Sequence, residues 1–111
     1  MLTISVQIKG KVTLLRCRGR IVVGGETELL EYVALSYARQ GCSLVLDLAE
    51  VVAMDARGLG LMLDLTTQTW GRGGHLRLID KTGRMRELLR LMNPSRLIME
   101  MIMTRVAFQT E

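Results

Sequence analysis

The sequence predicts an α/β domain: a mixed, mostly parallel sheet that starts with an antiparallel hairpin and carries three or four helices. Short apolar runs alternate with longer stretches of helical period, the order that builds parallel strands joined by right-handed crossovers. The first two apolar runs are separated only by Lys9-Gly10-Lys11, too short for a crossover and suited to a hairpin. With 111 residues, 49% of them hydrophobic, the chain can fill one core, so residues 1–111 are read as a single domain.

The elements follow in order. Ile4, Val6 and Ile8 alternate with Thr3, Ser5 and Gln7, the pattern of a half-buried strand. After the Gly10 turn, Val12 to Cys17 resumes as a second strand, and Gly19, Gly24 and Gly25 mark an irregular link. Glu26 to Gln40 reads as a helix with Leu29, Leu30, Val33 and Tyr37 on one face. Its early Glu26, Glu28 and Glu31 suit the positive end of the helix dipole, and Gly41 is a natural stop. Leu44 to Leu48 is a near-continuous apolar run, as expected of a strand covered on both faces.

A second helix is expected near Arg57 to Gly71, capped by Asp55 and ended by Gly71-Arg72-Gly73-Gly74. Its face of Leu59, Met62, Leu63 and Trp70 should pack on the sheet. Leu61 and Leu65 then project from another side, as a contact patch or beneath further cover. His75 to Ile79 reads as a strand. Thr82 could cap a third helix with Met85, Leu88, Leu89 and Met92 along one side, closed by Asn93-Pro94. Leu97 to Phe108 fits a last strand, although its start could also extend as helix.

The composition argues against several functions. The net charge is +4 with the basic residues spread out, and there are one Trp, one Phe and two Tyr. A mildly basic surface with so few stacking aromatics gives no case for direct nucleic-acid binding. No apolar run approaches the roughly 20 residues of a membrane span, and no secretory signal opens the chain, so a cytoplasmic protein without membrane insertion is expected. Cys17 and Cys42 have no metal spacing and read as buried, inert thiols. The one histidine, His75, cannot anchor a recognisable metal site alone. Nucleophile and phosphate-loop motifs are missing. Asp47 and Asp55, eight residues apart, are a weak pair, and Asp55 is more economically a helix cap. No enzyme, cofactor or metal is expected.

Leu46-Asp47-Leu48, followed after a short link by Met54-Asp55-Ala56-Arg57-Gly58-Leu59-Gly60, resembles the signature of STAS domains, Asp-Leu-Ser and then Asp-Ser-Ser-Gly-Leu. Gly19-Arg20-Ile21 is similar to the family's Gly-Glu-Leu. Gly73-Gly74-His75-Leu76-Arg77-Leu78, then Met85 with Leu88-Leu89, is similar to its last strand–helix unit. The resemblance implies an anti-sigma factor antagonist of bacterial signal transduction and transcription regulation. In such proteins the first Ser of the motif is phosphorylated by an anti-sigma factor that is also a kinase, and the unphosphorylated form binds that kinase. Here Ala56 stands at that position and Arg57 at the next. Alanine has no hydroxyl, so no phosphorylation is expected there. Thr66, Thr67 and Ser95 are hydroxyls on or beside the candidate surface.

The expected function is therefore protein interaction. Asp55, Ala56, Arg57 and Gly58, with Leu61 and Leu65 as apolar contacts, would bind an anti-sigma factor or related kinase-like protein. A structural STAS subunit, in a signalling assembly or beside a lipid-transport ATPase, is the alternative, and a homodimer is left open. A third reading is an anion or nucleotide sensor at the helix N-terminus.

Overall fold

The computed structural model describes residues 1–80, positions 83, 87 and 91, and the backbone of 106–109. Strands β1 (Leu2–Lys9) and β2 (Val12–Ile21) precede helix α1 (Gly25–Arg39). Strand β3 (Ser43–Met54), helix α2 (Ala56–Gly71), β4 (Leu76–Ile79) and β5 (Val106–Gln109) follow. The sheet order is β1-β2-β3-β4-β5. The first pair is antiparallel and every later pair is parallel, as the sequence predicts. The expected third helix from Thr82, with Met85, Leu88, Leu89 and Met92, lies outside the described residues except that Glu87 and Leu91 have helical backbone. Of the expected last strand, Val106–Gln109 is strand and pairs with β4. The described residues do not test the expectation of a fourth helix.

The strand order decides the layering. Each parallel strand lies beside its predecessor, so right-handed crossovers place successive helices on the same face. Leu15, Cys17 and Ile21 of β2, Leu44, Leu46, Leu48, Val51 and Met54 of β3, and Leu76 and Leu78 of β4 form the buried face beneath α1 and α2. The opposite face carries Arg16 paired with Asp47 at 3.1 Å and Arg18 paired with Glu50 at 2.8 Å. The Leu44–Leu48 segment is thus covered on one face among the described residues, and Val45 and Asp47 are half-buried on the other. That corrects the expectation of a strand enclosed on both sides.

Strand β3 is also far longer than expected, because the link after Leu48 is itself strand. Its pairing with β2 shifts between Arg16 and Arg18, opposite Asp47 and Glu50, and again between Gly19 and Arg20, opposite Val51 and Ala53. At each shift β3 holds one residue more than β2, the signature of a bulge. Buried positions therefore run Leu44, Leu46, Leu48, then Val51, then Met54, and the two-residue period that marks a strand is lost there.

Both helices stop at glycine for the same reason. In α1 the Cys42 N–H donates to the Tyr37 carbonyl at 3.2 Å and the Gly41 N–H to Ala38 at 3.0 Å, with Gly41 at φ 82. In α2 Gly74 donates to Thr69 at 2.9 Å and Gly73, at φ 81, to Trp70 at 3.2 Å. Both are Schellman motifs, which need a left-handed residue and so favour glycine. The buried stripe of α1 is Thr27, Leu30, Ala34 and Ala38. Leu29, expected on that face, is exposed, so the helix is rolled by roughly a quarter-turn from the expected orientation. The two alanines let it lie close to the sheet.

Candidate partner-binding site

The carboxyl ends of β2 and β3 lie side by side, with Ile21 opposite Met54. Here the chain turns into α1 through Val22, Val23 and Gly24, and into α2 through Asp55. The Asp55 carboxylate joins the two turns. One oxygen, Oδ1, accepts from the Gly58 N–H at 3.0 Å, capping α2, and the other accepts from the Val23 N–H at 2.9 Å. Val23 foremost, then Gly58, holds the Asp55 carboxyl below the usual carboxylate range, because hydrogen bonds from backbone N–H groups favour the ionised form.

Gly58 is fixed by space. A Cβ there would lie 2.5 Å from the Ile21 carbonyl oxygen and 2.6 Å from Met54 Cγ. The first turn of α2 therefore rests directly on the end of β2. With Asp55 and Gly58 turned inward, Ala56 is exposed on the outside of the turn. Val23, tied by its N–H to the Asp55 carboxylate, is 75% exposed. Arg57 reaches α1, where Nη2 lies 2.8 Å from Glu31 Oε1 and Nη1 donates to Oε2 at 3.5 Å. Glu28, Glu31, Tyr32, Leu35, Arg39 and Arg57 line a shallow groove of about 410 Å³ between the helices. Tyr32, 74% exposed, joins the site without having been expected there. A large aromatic away from the core stripe of α1 is the signal that could have found it.

Leu61 and Leu65 do not belong to this surface. Both are fully buried, which corrects their assignment as partner contacts. The inward face of α2 is Gly58, Leu61, Met62, Leu65, Thr66 and Thr69, while Leu59 and Leu63 are half-buried and Trp70 is 54% exposed. The threonines hide this face in the sequence. Thr66 Oγ1 donates to the Met62 carbonyl and Thr69 Oγ1 to the Leu65 carbonyl, each at 2.7 Å. A hydroxyl satisfied inside its own helix can be buried at little cost. Thr66 is accordingly a core residue, Thr67 is exposed, and Ser95 lies outside the described residues.

Other candidates fall away from the site. Asp47 lies mid-strand, accepting from Arg16 and from the Ala49 N–H at 3.1 Å each. His75 is exposed. Cys17 is buried, and burial, followed by the nearby Asp47, pushes its thiol up to about 12. It stays protonated at neutral pH and is a poor nucleophile. Cys42 is half-buried rather than buried. No described helix is long and apolar enough to cross a membrane.

Among the described residues, a mixed sheet covered by α1 and α2 on one face, with a capped turn at the carboxyl ends of β2 and β3, defines the class of fold. The STAS domain family model matches residues 3–107, and the chain belongs to that family. Its fold is that of SpoIIAA, the anti-sigma factor antagonist, in its unphosphorylated form, with TM-score 0.69 and 14% identity over 98% of this chain and 89% of that one. The phosphorylated form of SpoIIAA, a Bacillus cell fate determinant, matches at 0.69 and 15% over 98% and 93%. An anti-sigma factor antagonist from Mycobacterium paratuberculosis matches at 0.71 and 16% over 96% and 86%. No curated protein matches by sequence.

Proposed function

We propose that this chain is a non-catalytic interaction domain of the anti-sigma-antagonist type. It engages a kinase-type anti-sigma partner through Val23, Ala56, Arg57 and the adjoining groove of α1. The observation that carries this reading is the double clamp of Asp55, which holds Val23 and the α2 turn together. It presents Ala56 in a fixed position. Preorganisation of this kind lowers the ordering cost of binding. The knuckle offers a methyl group where a phosphorylatable relative offers a hydroxyl, so binding here is not switched off at this position. Arg57, oriented by Glu31, gives the partner a directed cation. The Asp55 carboxylate already occupies the α2 N-terminus, which counts against an anion or nucleotide as the ligand.

The test is a pull-down from a lysate of the source cells, followed by mass spectrometry of the captured proteins and of the bait. Wild type should retain a kinase-type anti-sigma factor while remaining unmodified at the knuckle. Ala56→Asp should lose it, because a carboxylate there adds charge to the contact while remaining compatible with the first turn of a helix. Undiminished capture by Ala56→Asp would remove the knuckle from the interface. Capture of a transport ATPase or of other STAS proteins instead would favour a structural subunit.

A further inference from the structure

Strand β1 is one edge of the sheet among the described residues, and its own sequence and geometry lack the features that usually block an edge. It runs eight residues, Leu2–Lys9, in unbroken register with β2. It contains no proline and no bulge, and its one charge is Lys9 at the end. Natural edges are commonly protected by charges, prolines, bulges or short length.

The hydrogen-bond parity of this strand can be assigned. The Arg20 N–H donates to the Met1 carbonyl at 3.1 Å, which makes Met1 and Arg20 a bonded pair. Bonded and non-bonded pairs alternate along an antiparallel ladder, so Thr3, Ser5, Gln7 and Lys9 also bond to β2. The two-residue loop closed by Lys9 and Val12, with Gly10 at φ 62, agrees with this parity. Leu2, Ile4, Val6 and Ile8 therefore point their backbone N–H and C=O groups away from the sheet. Their side chains share the helix-covered face, yet Val6 is 43% and Ile8 56% exposed.

The strand is also complementary to itself. Laid antiparallel against a second copy with Ser5 on the two-fold axis, Leu2 faces Ile8, Ile4 faces Val6 and Thr3 faces Gln7. Every apolar residue then meets an apolar one on the helix side, and every polar residue meets a polar one on the other side. Lys9 falls opposite Met1 and not opposite another Lys9. All four outward-facing residues pair their backbone groups, and the exposed Val6 and Ile8 gain apolar neighbours.

We propose that the chain forms a two-fold symmetric dimer through the free edge of β1, joining two five-stranded sheets into one continuous sheet with Ser5 at the axis. The proposal is independent of the partner assigned to the α2 knuckle, which lies at the carboxyl ends of β2 and β3.

Sedimentation of the full chain over a concentration series should show a monomer–dimer equilibrium. Val6→Lys places an inward-pointing charge opposite Ile4 of the second copy and should leave a folded monomer. Ser5→Cys, at an exposed position, places two thiols across a non-bonded pair, where Cα atoms are about 4.5 Å apart. Under oxidised glutathione it should give a reducible covalent dimer that wild type does not form. A wild-type chain that stays monomeric throughout would overturn the proposal. So would a dimer indifferent to Val6→Lys, or a Ser5→Cys chain that fails to cross-link.

Discussion

Helix α1 starts at Gly24, whose backbone sits at φ 149 and ψ 169 with no side chain capping it, while α2 starts at Asp55, whose carboxylate caps its own helix and grips a second loop. The first relies on near neighbours: Glu26 and Glu28 sit in its first turn, and the Thr27 hydroxyl donates to the Val22 carbonyl. The second has no acid in its first turn and places Arg57 there, against the helix dipole. It is held by contacts distant in sequence: Val23 on the Asp55 carboxylate, Glu31 on Arg57, and the Ile21 backbone beneath Gly58. Local devices settle whether a helix forms. Distant ones settle where it stands, and a recognition surface depends on the second.

Gly58→Ala should break this contrast most severely. Its methyl group would meet backbone at 2.5 Å, and the first turn could yield only by leaving the sheet. Denaturant unfolding should show a loss of about 3 kcal/mol, with the partner-binding turn displaced. Next comes Asp55→Asn, which keeps a capping oxygen but not the charge. A carboxyl with a lowered folded-state pKa contributes stability above its unfolded value of about 3.9, and that contribution disappears as pH falls through the folded value. Wild type should therefore melt higher than Asp55→Asn at pH 7, and the two Tm values should converge on acidification below about pH 4.

A smaller effect of opposite sign is expected two residues along. A Cβ at Gly60 meets nothing within 4 Å, so Gly60→Ala should raise stability by up to about 1 kcal/mol through helix propensity alone. The pair of glycines thus separates contact from propensity within one helix. The smallest effect belongs to Arg57 and Glu31, whose side chains keep 31% and 26% of their exposure. A double-mutant cycle with Arg57→Ala and Glu31→Ala should give a coupling of about 0.5 kcal/mol, weakening with added salt.

What the sequence made legible was what its local rules control. The hairpin follows from the Gly10 turn, the helix ends from Gly41 and Gly73, and the α2 cap from Asp55. The strand–helix alternation implied the sheet. The length of β3 was not legible, since two bulges break its alternation after Leu48. Nor was the face of α2. Trp70 looked like core and Thr66 and Thr69 did not, because a threonine that bonds its own helix counts as polar in any pattern. The resulting rotation carried Leu61 and Leu65 to the surface in expectation and into the core in fact. At the site, the cap could be read but the clamp could not. Asp55 and Val23 are 32 residues apart, and no local pattern connects them.

The paired bulges of β3 have a consequence for chain length. At each bulge two residues of β3 stand where β2 offers one, so the surplus residue is taken up locally and the chain beyond it keeps its register and its facing. Leu44, Val51 and Met54, before, between and after the bulges, are therefore all buried, and the strand delivers Asp55 to its turn in phase. Loss of a surplus residue at either bulge would restore plain alternation there and leave Met54 opposite Ile21. Loss of a residue from the regular stretch Leu44–Leu48 has no such outlet, because a one-residue slip there turns every later side chain to the other face. The bulges are thus the places in β3 where a single-residue change in length is tolerated.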